Sequence, residues 1–161
     1  ILKKLTGLFL ETATELGKKY QGQIEVEERI VDNCAMQLVL NPNQFDVLIT
    51  PNMFGDILSD EIAGLVGGLG LAPSANIGKE ASIFEAVHGS APDIAGKQLA
   101  NPTALMLASA LMLDHVGEQQ KATTLREALD SQLRSGAGLT VDLGGTASTT
   151  EFANNIIQRF S

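Results

Sequence analysis

"PNMFGDILSDEIAGLVGGLG", residues 51–70, opens on a turn signal, continues with apolar residues at helical spacing and ends in a cluster of glycines. Phe54, Ile57, Leu58, Ile62 and Leu65 recur at three- and four-residue intervals, which predicts an apolar-faced helix from Met53 to about Val66 with Asn52 as its N-cap. On that helix Asp56 and Asp60 stand four residues apart, so both carboxylates point the same way. Two like charges at this spacing repel by roughly 0.2–0.5 kcal/mol when exposed. A divalent cation would turn that repulsion into attraction, and hard ions such as Mg²⁺ or Mn²⁺ prefer carboxylate oxygen. In the alternative reading, which spacing alone favours, Asp56 complements the helix dipole in the first turn and Asp60 faces water.

The glycines of "GLVGGLG" follow a helix, lack the G-x-G-x-x-G order and do not lead from a strand into a new helix, so they predict a helix stop and not a dinucleotide fingerprint. Upstream, "FDVLIT" (45–50) predicts a short apolar strand. "QIEVEERIV" (23–31) alternates through Ile24 and Val26 and then runs into a helix around "VDNCAMQLVL" (31–40). Residues 1–20 place Leu2, Leu5, Phe9, Ala13 and Leu16 on one helical face opposite Lys3, Lys4, Glu11, Lys18 and Lys19. That helix has no cap before Ile1, which suggests a cut through a longer chain.

Downstream, "APSANIGK" (72–79) is loop-like, "ASIFEAV" (81–87) reads as a strand, and "HGSAPDIAGKQLANP" (88–102) is a long irregular connection. Asn101 and Pro102 supply an N-cap and a first helical residue for an apolar helix ending near Val116. A further helix from about Gln119 to Leu133 stops at Gly136. "LTVDLGG" (139–145) predicts a strand or an extended turn, and Ser148 with Glu151 has capping-box spacing for a last helix. Helices alternating with short apolar strands predict an α/β layer arrangement.

Within these elements Asp32 is a possible third oxygen ligand or a helix-start carboxylate. His88 could stack on a ligand or serve as a structural histidine, and His115 reads as a helix-end group. Asp93 could accept from two ribose hydroxyls or brace a turn. Cys34 has no basic neighbour in sequence and reads as a core thiol.

The chain has 161 residues, and its 11 Lys and Arg against 19 Asp and Glu give a formal charge of -8, which argues against a nucleic-acid partner. Its single cysteine rules out an intrachain disulfide scaffold and suits a reducing compartment. The apolar run "ALMLASALML" (104–113) is too short to span a bilayer, so no membrane partner is expected. The first twenty residues lack a secretory pattern, which predicts a cytoplasmic protein or the mature part of an organellar one, the mitochondrial matrix in a eukaryote.

Taken together, "VDNCAMQLV" (31–39), "PNMFGDILSDEIAGLVGGLGLAPSANIG" (51–78), "FEAVHGSAPDIAGK" (84–97) and "ANPTALMLASALML" (100–113) resemble the decarboxylating dehydrogenases of the isocitrate and isopropylmalate dehydrogenase family. The resemblance implies a partial fold of that α/β type, corresponding to its C-terminal half. Residues 1–66 would hold the rest of a small domain with the dimer helices, at 2–19 and 53–66, and the metal carboxylates. Residues 67–161 would hold part of a large domain with the cofactor loop. It implies a homodimer with a shared active site, in which Asp56 and Asp60 bind Mg²⁺ or Mn²⁺ together with Asp32 from across the interface. Asp32 and Asp56 would act catalytically through that metal.

The resemblance also implies NAD as cofactor, held by His88, Gly89, Ala91, Asp93, Ile94 and Asn101, with Glu85 just before the loop. Asp93 followed by Ile94 matches NAD-dependent members, and a carboxylate there would repel a 2′-phosphate. The implied reaction oxidises a small 2-hydroxy acid and releases CO₂. "FEAVHG" with "GGLGLAPSANIG" looks more like isocitrate than isopropylmalate dehydrogenase, while homoisocitrate or tartrate remain alternatives, as does a regulatory subunit of a heteromeric enzyme. The family's catalytic Lys and Tyr have no match in these residues, so the chain alone is expected to be inactive.

Overall fold

The structure, a computed structural model, describes residues 4–160; the helical places of Leu2 and Lys3 and the uncapped start at Ile1 lie outside them. The chain divides into two units, Ile1–Ile62 and Ala63–Ser161, with the division falling inside a helix, a few residues before the boundary expected at 66.

In the first unit α1 (Leu5–Lys18) buries none of its residues and carries Lys18 in its last turn, where a cation complements the helix dipole. The segment after it passes close by, since a Cβ on Gly17 would stand 2.8 Å from Cγ2 of Val26. The strand expected at Ile24 and Val26 is reduced to one isolated bridge, Gln21 to Ile24. α2 (Val31–Leu40) and α3 (Asn52–Leu65) share a small core of Cys34, Leu38 and Leu58, flanked by Val31, Ala35, Phe45 and Leu48. Between them "FDVLIT" is irregular and exposes Val47 and Ile49. A strand exists through its ladder of hydrogen bonds, and among the described residues of this unit no strand is present to pair with it.

α3 begins one residue earlier than its pattern predicts. The Pro51 carbonyl accepts from the Phe54 and Gly55 amides at 3.1 and 3.0 Å, so Asn52 lies inside the helix and does not cap it. The helix stops at the glycine cluster as expected. The Gly68 amide reaches back to the Ala63 carbonyl at 2.7 Å, and Gly67 and Gly68 adopt φ of 118° and 112°, where a side chain would be strained.

The second unit contains an antiparallel hairpin of β1 (Pro73–Ile77) and β2 (Ser82–Ala86), paired from Pro73 with Ala86 to Ile77 with Ser82. β1 falls where the sequence predicts a loop. Its alternation of Pro73, Ala75 and Ile77 with Ser74 and Asn76 is short and carries turn-favouring residues, and it is a strand because β2 supplies the ladder. α4 (Thr103–His115) packs on both strands, and Phe84 meets His115 at a ring separation of 5.4 Å. α5 (Gln119–Ser135) packs on α4, where Arg126 pairs with Asp114, and it ends at Gly136 with φ 66°.

Of the two forms expected for "LTVDLGG", a strand or an extended turn, the chain takes a turn, the 3-10 turn Val141–Leu143. α6 (Thr149–Ile157) has the predicted capping box: the Glu151 amide donates to the Ser148 hydroxyl at 3.2 Å, and the Ser148 amide donates to the Glu151 carboxylate at 2.8 Å. Phe152 and Ile156 of α6 complete a core with Ala128 and Leu129 of α5. Burying a side chain as large as Phe152 contributes about 2–3 kcal/mol.

Candidate functional site

In the first unit α3 presents Asp56 and Asp60 one turn apart, both exposed. Asn52, one turn earlier, donates its Nδ2–H to Asp56 Oδ2 at 2.9 Å and so restricts that carboxylate. Asp32 lies in the first turn of α2, exposed, with its Oδ1 accepting the Asn33 amide at 2.6 Å, as a helix-start carboxylate does. Among the described residues no three His, Cys, Asp or Glu side chains stand close enough together to hold a metal ion, so the chain does not bring Asp32 to the α3 pair. The pair offers hard oxygen donors of the kind that Mg²⁺ or Mn²⁺ takes, and it supplies two of the ligands such an ion needs. Cys34 is buried, and desolvation pushes its thiol above the ordinary range, against the lowering effect of Arg29 and with a smaller raising effect of Glu61. It is a core thiol.

In the second unit β2 leads directly into the loop at 88–101. Glu85 stays on the hairpin, where its Oε1 accepts from Asn76 Nδ2 across the strands at 3.0 Å. His88 is exposed, and its Nδ1–H donates to the Gly89 carbonyl at 3.0 Å, which leaves Nε2 of the neutral ring as an acceptor. Beside it Gly89 has open space where a Cβ would stand. Ala91 takes left-handed backbone angles, φ 41° and ψ 61°, and leads into the turn Pro92–Ile94 that presents Asp93 to solvent. No other described residue hydrogen-bonds to Asp93, so its two carboxylate oxygens remain available to a pair of hydroxyl donors. That chemistry fits the free ribose hydroxyls of NAD, with the half-buried Ile94 as an apolar neighbour.

The far side of the loop is fastened to α6. Gln98, at φ 58°, accepts the Thr149 amide on its carbonyl at 2.9 Å and the Thr150 hydroxyl on its Oε1 at 2.7 Å. The Thr149 hydroxyl donates to the Ala100 carbonyl at 2.5 Å. Two non-glycine residues with positive φ in one loop store on the order of 1 kcal/mol each, and contacts of this kind hold them there.

Asn101 is buried and its carboxamide is engaged at both ends. Oδ1 accepts the Thr103 amide at 3.0 Å, and Nδ2 donates to Asp142 Oδ2 at 2.9 Å. The expectation of Asn101 as N-cap with Pro102 as first helical residue is shifted by one position: α4 starts at Thr103 with Pro102 at its N-cap, and Asn101 serves the Thr103 amide from the residue before it. Sequence reasoning missed Asp142, Asn52, Gln98, Thr149 and Thr150. Asn52 and Asp56, at i and i+4, carried a local signal; Asp142 lies 41 residues from its partner and carried none.

A surface depression of about 370 Å³ lies elsewhere, between Gln132, Ala137, Gly138, Asn155, Gln158 and Arg159. It contains none of the carboxylates or loop residues above. The geometry of the loop and of the α3 pair is the better guide to chemistry, because that is where exposed donors and acceptors are gathered.

Comparison with known proteins points the same way. The family model for isocitrate/isopropylmalate dehydrogenase matches residues 1–156. The chain is 53% identical over 158 residues to an isocitrate/homoisocitrate dehydrogenase of Thermus thermophilus, covering 98% of this chain and 47% of that protein. It is 49% identical to a regulatory subunit of the mitochondrial NAD isocitrate dehydrogenase of Dictyostelium discoideum, covering 100% and 46%. It is also 49% identical to a 3-isopropylmalate dehydrogenase of Archaeoglobus fulgidus, covering 97% and 47%. The crystal structure of isocitrate dehydrogenase from Methylococcus capsulatus superimposes with a TM-score of 0.93 at 50% identity, covering 99% of this chain and 47% of that one.

These matches correct the expectation of a partial, C-terminal-half fold. They run through 97–100% of the chain, so the α/β arrangement is matched across its whole length. The chain spans about half the length of the curated relatives it matches.

Proposed function

Because the chain belongs to the isocitrate/isopropylmalate dehydrogenase family, we propose that the full-length protein oxidises and decarboxylates isocitrate with NAD as hydride acceptor. The observation that carries this reading is the pairing of two features. Asp56 and Asp60 form an exposed carboxylate pair on α3, and Asp93 stands unpartnered among the described residues in the strained loop after β2.

Bound Mg²⁺ or Mn²⁺ would supply Lewis acidity toward the substrate's oxygens, and NAD would supply the hydride acceptor. Asp56 and Asp60 bring two negative charges to one place, which favours a divalent cation there and orients it relative to α3. Asn52 fixes the Asp56 carboxylate before the ion arrives. Asp32 serves the same site in a second copy of the chain, which makes the working unit a homodimer with a shared active site. Asp93 accepts both hydroxyls of the adenosine ribose and disfavours a 2′-phosphate, and His88, Gly89, Ala91, Ile94 and Asn101 surround the nucleoside. Glu85 stands at the entrance of the loop, its carboxylate held by Asn76.

In this reading residues 1–66 belong to the dimer-forming small domain and residues 67–161 to the large one. The protein works in the cytoplasm, or in the mitochondrial matrix of a eukaryote. These 161 residues are inactive by themselves, because the proton-transferring Lys and Tyr that the family resemblance implies have no match among them.

Isocitrate is favoured over 3-isopropylmalate by "FEAVHG" at 84–89, and the Thermus relative at 53% identity is named for isocitrate and homoisocitrate. A second reading, a non-catalytic subunit, is favoured by the 49% identity to a regulatory subunit over the whole chain. The assay follows NADH formation by the full-length protein with isocitrate, homoisocitrate and 3-isopropylmalate, each with and without Mn²⁺. Metal-dependent turnover that is fastest on isocitrate is the expected result. Preference for either other acid would overturn the substrate choice, and no turnover on any of them would favour the regulatory reading.

A further inference from the structure

We propose that Asp142 is a positioning residue for the nucleotide, acting through Asn101. This rests on the reading of the 88–101 loop as the cofactor site.

A carboxamide can present its oxygen or its nitrogen to either side by a half-turn, so an asparagine has a defined polarity only where its neighbours impose one. Asn101 has such neighbours on both ends: the Thr103 amide requires an oxygen, and the Asp142 carboxylate requires a nitrogen. The bond to Asp142 is charge-assisted, the stronger kind of side-chain hydrogen bond. It also joins two distant segments, the 3-10 turn Val141–Leu143 and the end of the loop that enters α4.

The surroundings show that this bond carries the polar contact at the junction. Gly70 forms a further wall, where a Cβ would stand 3.5 Å from both Asn101 Cβ and Asp142 Oδ2. Thr103 and Thr140, each two residues from a member of the pair, are fully buried with hydroxyls that have no hydrogen-bond partner. Asp142 itself is exposed and bonds to Asn101 through Oδ2. With Asp142 in place, the second hydrogen on Asn101 Nδ2 stays aimed in one direction. Without it, the side chain is held only by the Thr103 amide.

The test is a double-mutant cycle on NAD binding to the full-length protein, read by titration calorimetry with the melting temperature of each variant alongside. Asp142→Ala is expected to weaken NAD about tenfold, the size of one charge-assisted hydrogen bond lost from a preorganised site. Asp142→Asn, whose amide oxygen can still accept from Asn101, is expected to stay within about threefold of wild type. Asn101→Ala removes the Nδ2 donor to Asp142 and leaves none in its place, and its melting temperature reports what the lost contact to the Thr103 amide costs α4. In that background Asp142→Ala is expected to add nothing.

Additive losses in the cycle would show that Asp142 acts independently of Asn101 and would overturn the proposal. So would unchanged NAD affinity in Asp142→Ala, with or without a lowered melting temperature, while Asp93→Ala weakens binding; the nucleotide reading would then survive. If Asp93→Ala also binds NAD as wild type does, the reading of the loop itself fails. Should Asp142→Ala not fold, Asp142→Ser takes its place in the same cycle.

Discussion

Asp60 and Gln132 are both single side chains on a helix, but they act in opposite ways. Asp60 is exposed, and removing its charge changes little in the fold. Asp60→Asn is therefore expected to leave the melting temperature of the metal-free protein unchanged or slightly raised, since the repulsion from Asp56 goes with the charge. The same change is expected to weaken Mn²⁺ binding by at least about tenfold, measured by calorimetry or by electron paramagnetic resonance. Equal Mn²⁺ affinity in the two proteins would remove the α3 pair from the metal site.

Gln132 is 1% exposed and fully used. Its Nε2 donates to the Ala137 and Gly138 carbonyls at 2.8 and 3.2 Å, and its Oε1 accepts from Arg159 Nε at 2.9 Å. Gln132→Leu keeps the volume and strands those three groups, at an expected cost of about 2 kcal/mol in urea unfolding. A cost near zero would mean that water takes over all three. Nothing in the sequence separated Gln132 from any surface glutamine, because its partners become neighbours only once α5, α6 and the turn between them are folded.

At the scale of elements, the start of α6 shows how far local chemistry reaches. The Ser148 and Glu151 box was legible from spacing alone, since each side chain closes on a backbone group three residues away. Ser148→Ala is expected to cost about 1 kcal/mol. The hydrogen bonds that Ser148 gives it hold the Glu151 carboxyl below its ordinary value of 4.5. A carboxyl depressed in the folded state stabilises above its unfolded value and loses that contribution as pH falls through the folded one. The stability gap between wild type and Glu151→Gln should thus shrink as pH drops below about 4.5; a gap independent of pH would show that the charge plays no part in the cap.

Helices were legible throughout for the same local reason, and their stops at Gly67 and Gly136 with them. Strands were not. "FDVLIT" looked like one and lacks a partner among the described residues, whereas "PSANI" looked like a loop and is paired by Ser82–Ala86. The site divided the same way. Asp56 and Asp60 could be placed on one face by counting, while the engagement of Asn101 by Asp142 depends on a turn that the sequence left open between a strand and an extended turn.

For the whole molecule, surface composition bears on assembly. α1 buries nothing and exposes Leu5, Leu8 and Leu16, and α3 exposes Ile57 and Ile62 in the same unit. Apolar side chains gathered on helices in this way are typical of surfaces covered by another chain. The full-length protein is expected to sediment as a dimer, and Leu5→Glu with Leu8→Glu to shift it toward monomer with loss of turnover, because Asp32 would no longer reach the other copy. A double variant that stays dimeric would place the interface elsewhere.

The second unit answers to a different connection. Gln98 and Ala100 are tied to Thr149 and Thr150, so opening of the loop is expected to loosen the first turn of the last helix with it. A nucleotide that settles the loop is then expected to slow hydrogen exchange at the amides of Thr149 and Phe152, which lie outside the loop; unchanged exchange there would show that the two segments open independently. α6 is in that sense a remote gauge of occupancy, readable by mass spectrometry without any substrate being turned over.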